Sequence, residues 1–197
     1  MSKKRKMRSM KRKTPIMSAD QERFMAFEGL VQWTSAVIAQ ADRLANARLP
    51  KAVMSPEERR AAIYDRQCQA HYFVVAAWKL LEHRKWVTAF GLCTNIDFSE
   101  IDAFSEGHIR DLRNMREHVV EYFQGRGRNN GRWMIQTPEY RADASSIVGT
   151  KIGGRLDWKA FSKAAHRLLP QLLREPIPYP PRAMPPKRGS TPSGRAI

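Results

Sequence analysis

Two stretches of the chain repeat apolar residues at intervals of three and four, and each opens on side chains suited to starting a helix. Ser18 with Gln21 has the spacing of a capping box, in which the two side chains satisfy free backbone N–H groups. Beyond it Phe24, Phe27, Leu30, Val31, Thr34, Val37, Ile38 and Ala41 recur on one helical face. Ser55-Pro56-Glu57-Glu58 is a stronger start still, with Ser as N-cap, Pro in the first turn and Glu at the third position. A long helix is expected from there to about His83, its apolar side made of Ile63, Ala70, Phe73, Val74, Ala77, Trp78 and Leu81. Trp86, Phe90 and Leu92 predict a shorter helix closing near Cys93, and Trp78 and Trp86, at helical spacing, are expected in the core.

The pattern continues to about residue 175. Asp97 to Phe104 reads as a short helical turn, and Glu106 to Phe123 as a further main helix stopped by Gly125. A Gly- and Arg-rich loop, 125–131, follows. Residues 140–157 predict a small hairpin, with Ser146-Ile147-Val148 on one side, a turn from Gly149 to Gly154, and Arg155-Leu156 on the other. Asp157 can cap a last helix, Trp158 to Leu173, docked by Phe161, Ala164, Ala165, Leu168 and Leu172. After Pro176 the chain turns to Pro, Arg and Ser with no apolar period. The expected fold class is therefore all-α: a bundle of about five helices over 18–175, a minor C-terminal β-hairpin, and disordered basic tails at 1–17 and 176–197.

Composition narrows the function classes. Hydrophobic residues make up 42% of the 197, enough for a core, yet no apolar run approaches the roughly 18 residues that cross a bilayer. Only Ile16 and Met17 follow the basic start before polar Ser18, so no secretory signal is expected. Two cysteines, Cys68 and Cys93, are too few for a disulfide framework and point to a reduced, cytoplasmic setting.

The net charge of +16 is concentrated at the ends. Residues 1–17 hold Lys3, Lys4, Arg5, Lys6, Arg8, Lys11, Arg12 and Lys13 without an acid, for +8. Arg182, Lys187, Arg188 and Arg195 add +4, leaving +4 for the 158 residues between. A polycation gains free energy by releasing counterions from a phosphate backbone, whatever its sequence. Lys3, Lys4, Arg5, Lys6, Lys11, Arg12 and Lys13, with Arg126, Arg128 and Arg132 around the Gly-rich loop, are the candidate nucleic-acid contacts, and RNA or another polyanion is the expected partner.

The helix over 106–123 carries the candidate chemistry. At roughly 100° per residue, Ile109, Leu112, Met115, Val119, Tyr122 and Phe123 share one arc and should face the core. His118 falls at the edge of that arc, with Asn114 one turn earlier on the same side and Arg113 able to swing across. Histidine is the side chain that titrates nearest neutrality, and a guanidinium is a fixed planar cation. An imidazole can take the proton of a ribose 2′-OH while a guanidinium holds the phosphate and its developing charge.

Arg113-Asn114-x-x-x-His118 resembles the R-(N/D/H)-x-x-x-H signature of the HEPN superfamily, helical bundles that include metal-independent ribonucleases and toxins. The resemblance covers roughly residues 18–123, through helix order. It implies that Arg113 contacts phosphate, Asn114 orients the pair and His118 serves as acid/base, on a composite site formed by a homodimer. It also brings in an antitoxin or other protein partner. The alternative left open is a non-catalytic module that binds nucleic acid or protein. No cofactor and no metal is expected: Cys68-x-x-His71 with His83 and Cys93 matches no common zinc spacing, and Gly149-Thr150-Lys151 is no Walker loop.

Overall fold

The computed structural model describes residues 17–127 and 130–178. Helix α1 (Ala19–Asn46) begins as expected, its N-cap Ser18 and Gln21 forming the reciprocal capping box. Helix α2 (Pro56–Ala89) begins on the same device, Ser55 with Glu58. The two lie antiparallel. Near their far ends the Arg23 guanidinium donates to the Phe90 carbonyl at 3.1 Å, and His83 Nδ1 lies 3.4 Å from the Ala26 carbonyl oxygen.

Helix α2 does not stop at His83, and no separate helix holds Trp86. Nothing in His83-Arg84-Lys85 breaks a helix, so α2 runs on until Gly91 takes a left-handed φ of 63°. There the Leu92 N–H reaches back to Val87 and the Gly91 N–H to Thr88, closing the end. Trp86 is consequently turned outward and is 51% exposed, against the expectation that it is core, while Trp78 is buried. Ile63, expected on the apolar side, is also exposed.

Helix α3 (Ser99–Asp102) is one turn. Helix α4 (Glu106–Glu117), capped by Ser105, is separated from α5 (Val119–Phe123) by a break at His118, whose φ and ψ are −111° and 35°. Val119 and Val120 follow at once, and a β-branched pair weakens helix at that point. The break explains why one arc does not serve both halves. Ile109, Leu112 and Met115 are buried as expected, but Val119 and Tyr122 are half-buried and Phe123 is 74% exposed. Gly125, at φ 72°, stops α5 as expected, with the Arg126 N–H bonded to Glu121 and the Gly125 N–H to Tyr122.

The C-terminal β region is larger than a single hairpin. A 3₁₀ turn (Asn130–Arg132) leads to β1 (Met134–Gln136), paired antiparallel with β2 (Arg141–Asp143). A second sheet is a meander of β3 (Ile147–Val148), β4 (Lys151–Ile152) and β5 (Leu156–Asp157). The expected turn from Gly149 to Gly154 itself contains β4, because left-handed Gly149 and Gly153 reverse the chain twice. Asp157 caps α6 (Trp158–Leu172), its side chain accepting the Ala160 N–H at 3.0 Å.

The protein is a predominantly α-helical bundle, with α6 packed on α1 and α4 on α2. Phe73 of α2 sits fully buried at its centre, edge-on to Phe161 at 6.2 Å and Trp158 at 6.5 Å of α6. Arg116 ties the β region to the helices. Its guanidinium donates to the Ala144, Ser145 and Gln67 carbonyls at 2.9, 3.1 and 2.7 Å, and burial brings its pKa down to about 10. Among the described residues no helix is long and apolar enough to cross a membrane. The expectations for 1–16 and 179–197 lie outside the described residues.

Candidate functional site

The stripe Arg110, Asn114, His118 and Tyr122 advances four residues at a time, so these side chains stack along one edge of α4 and α5. The chain after Gly125 folds back against that edge. Arg132 Nη1 reaches Asp111 Oδ2 at 2.5 Å, an ion pair between residues 21 apart in sequence. Between the stripe and the returning loop lies a cleft of about 540 Å³. Arg110, Asn114, His118, Glu121, Arg126 and Arg132 all line it.

The His118 side chain is 60% exposed, and its Nδ1 lies 3.6 Å from Glu121 Oε1. Because His118 occupies the break, it caps one helix and opens the next, and its ring is not pressed into the bundle. The Glu121 carboxyl is held below its ordinary pKa, first by its own backbone N–H and then by His118. Asp111 sits between two cations, with Arg110 Nε at 4.0 Å on one side and Arg132 on the other. Arg126 donates to the Gln124 side chain, and Asn130 Nδ2 donates to the Gly125 carbonyl at 2.5 Å. Three guanidinium groups thus meet two carboxylates in one cleft, with an imidazole and an amide beside them.

Arg113 takes a different course. Its guanidinium donates to Asn114 Oδ1 at 3.1 and 2.6 Å, pairs with Glu117 at 3.2 Å, and lies over the Trp78 ring at 5.6 Å. It therefore touches the cleft only through Asn114. Of the residues singled out from the sequence, Asn114, His118, Arg126 and Arg132 come together. Arg113 stands one hydrogen bond away. Lys3, Lys4, Arg5, Lys6, Lys11, Arg12, Lys13 and Arg128 lie outside the described residues.

Sequence reasoning passed over Arg110, although its four-residue spacing from Asn114 and eight from His118 would have placed it on the stripe. Asp111 carries no such signal, because its role depends on where Arg132 returns.

Among the described residues no group of three or more His, Cys, Asp or Glu side chains is placed to hold a metal ion. Cys68 is exposed and Cys93 buried, and burial pushes the Cys93 thiol up to about 11. No family model, no curated protein and no solved structure matches the chain.

Proposed function

We propose that the chain binds RNA in the cleft at the α4–α5 break and cleaves it as an endoribonuclease, with His118 as the acid/base group. The observation that carries this reading is one cleft in which an exposed imidazole and the Asn114 amide lie among Arg110, Arg126 and Arg132, on a chain of net charge +16.

The chemistry follows from those groups. The His118 imidazole takes the proton of a ribose 2′-OH, and the 2′-oxygen attacks the adjacent phosphorus. The bond to the 5′-oxygen breaks, and that oxygen leaves with the proton the imidazolium returns. One strand ends in a 2′,3′-cyclic phosphate and the other in a 5′-OH. Guanidinium groups hold the non-bridging oxygens as their charge grows, and Asn114 fixes the geometry between imidazole and phosphate. For Arg113 to reach the phosphate, as the HEPN resemblance implies, it must exchange its bonds to Asn114 and Glu117 for phosphate oxygens.

Val120, 58% exposed, and Phe123 form an apolar rim on α5 beside the cleft. That rim supports pairing with a second copy of the chain, which would bring two motifs to one composite site, or with a protein antitoxin. A cytoplasmic setting, where RNA is at hand, belongs to the same proposal.

A second reading has its own support. Arg113 is already neutralised by Glu117, as suits a module that binds nucleic acid or protein without cutting. The test is to incubate the full chain with a single-stranded RNA and with DNA of the same sequence, in excess chelator. The catalytic reading expects cleavage of RNA alone, since only RNA carries the 2′-OH nucleophile. RNA that binds and stays intact, with or without divalent ions, establishes the non-catalytic module instead.

A further inference from the structure

A second cleft, of about 330 Å³, opens on the opposite flank of α4 and α5. Helix α2 contributes Tyr64, Cys68 and Tyr72 at four-residue spacing, and Val119 and Trp133 close the far side. Tyr64 and Tyr72 are 58% and 56% exposed, although the adjoining Phe73 and Val74 are fully buried. Their rings extend the core's apolar character out to solvent. At 1.5 Å per residue they stand roughly 12 Å apart along α2, so they are two platforms and not one closed slot.

The two clefts share a wall. The Trp133 ring lies on Tyr122 at 5.4 Å, tilted by 31°, and Tyr122 faces the cleft that holds His118. A chain leaving the arginine-lined cleft therefore crosses one aromatic partition to reach the second. At its floor Arg116 carries a largely buried positive charge bonded to neutral carbonyls, and it makes no ion pair with any described carboxylate. Its Nε has no partner either. Burial, and next the charge of Arg116, hold His71, which faces this cleft, below its ordinary pKa.

We infer that this second cleft receives unpaired bases of a single-stranded RNA whose phosphates occupy the arginine-lined cleft beside His118. The inference rests on the proposed function and deepens it by naming the substrate class. Every base has a π-face, and stacking on exposed aromatic rings is the sequence-tolerant way to hold a single strand. A cavity at the small end of the ligand-site range suits a base and not a folded partner. Guanidinium groups stand on both sides of the partition, Arg116 on one and Arg110, Arg126 and Arg132 on the other, as suits a phosphate backbone. Bases paired within a duplex cannot reach the rings, so the cleft selects unpaired RNA.

The test compares a fluorescently labelled twelve-nucleotide oligouridylate with an abasic oligomer of equal length and charge, by anisotropy at fixed salt. The full-length chain should bind the base-bearing oligomer about tenfold more tightly per stacked base. Tyr64→Ala/Tyr72→Ala should lose most of that preference and keep the salt dependence. Tyr64→Leu/Tyr72→Leu, which retains apolar bulk but no aromatic face, should lose it as well with unchanged helix content. Equal affinity of the unaltered chain for both oligomers means phosphates alone are bound, and it overturns the base site while sparing the arginine-lined cleft. A preference that survives in both double variants also overturns it. Binding of neither oligomer overturns this inference and the proposed function together.

Discussion

Gly153→Ala probes the contact that seats the β region on α4, and its cost can be worked from geometry. Gly153 has a φ of 57°, where an L side chain costs about 1–2 kcal/mol. A Cβ there would stand 2.5 Å from Leu112 Cδ1 and 3.3 Å from the Ala144 backbone. Carbon atoms prefer about 3.5–4.0 Å, and Leu112 is fully buried, so its side chain has nowhere to retreat. Overpacking of this kind adds about 1–3 kcal/mol. The total, about 2–5 kcal/mol, corresponds to a fall in Tm of roughly 4–20 °C for a chain of this size. Gly149→Ala is the control: its φ of 58° is nearly the same, but its Cβ meets nothing within 4 Å. Only the backbone cost remains, a fall of roughly 2–8 °C. Thermal melts followed by circular dichroism measure both. In a Leu112→Ala background, Gly153→Ala should lose most of the overpacking cost, leaving the backbone cost and the 3.3 Å approach to Ala144. Equal shifts for the two glycines, or the full cost persisting without the Leu112 side chain, would refute the packing argument.

Three further outcomes follow from other parts of the molecule. His71 and His83 both sit below their ordinary value of 6.5, chiefly through burial, so the folded state binds fewer protons than the unfolded chain. Stability should be full above about pH 6.5 and fall as the pH drops through the folded pKa values; His71→Gln should shallow that fall in melts between pH 7.5 and 5, and an unchanged slope would contradict it. Arg116→Met should orphan the Ala144 and Ser145 carbonyls at about 1–3 kcal/mol each. Amide exchange should then speed up across 142–152 before it does in α1, and a uniform change would count against a local staple. Removing residues 1–17 takes away eight cations, so the log–log salt slope of RNA binding should flatten by up to about 6, with Tm nearly constant; an unchanged slope would mean those cations touch no phosphate.

Local signals in the sequence were sufficient where the determining contacts are local. Ser18 with Gln21 and Ser55 with Glu58 act within one turn, and both helices begin where these pairs say. Ile109, Leu112 and Met115 keep their period inside one unbroken helix and are buried. The break at His118 was not legible, because no Pro or Gly marks it and a β-branched pair is a weak signal. Phe123 therefore lies off the arc that an unbroken helix predicts, 74% exposed. Trp86 failed for a related reason: in an unbroken α2 it stands eight residues, and hence about 80° round the helix, from buried Trp78, while its neighbour Val87 takes the core-facing position. The sequence marked Arg126 and Arg132 as a basic loop, yet their arrival beside Asn114 depends on the Arg132–Asp111 pair, which no period encodes. The Tyr122–Trp133 partition is likewise a tertiary contact.

The central claim is that His118 does chemistry at the α4–α5 break, and the single-turnover rate of RNA cleavage by His118→Ala tests it most directly. Removing an acid/base group typically slows a reaction by about 10²–10⁴-fold. The side chain is 60% exposed, so helix content and Tm should stay close to those of the unaltered chain. Lost cleavage with retained fold and RNA affinity, and a 2′,3′-cyclic phosphate on the product of the unaltered chain, is the expected result. A His118→Ala chain that cuts RNA at the original rate, or that fails to fold, would contradict the account.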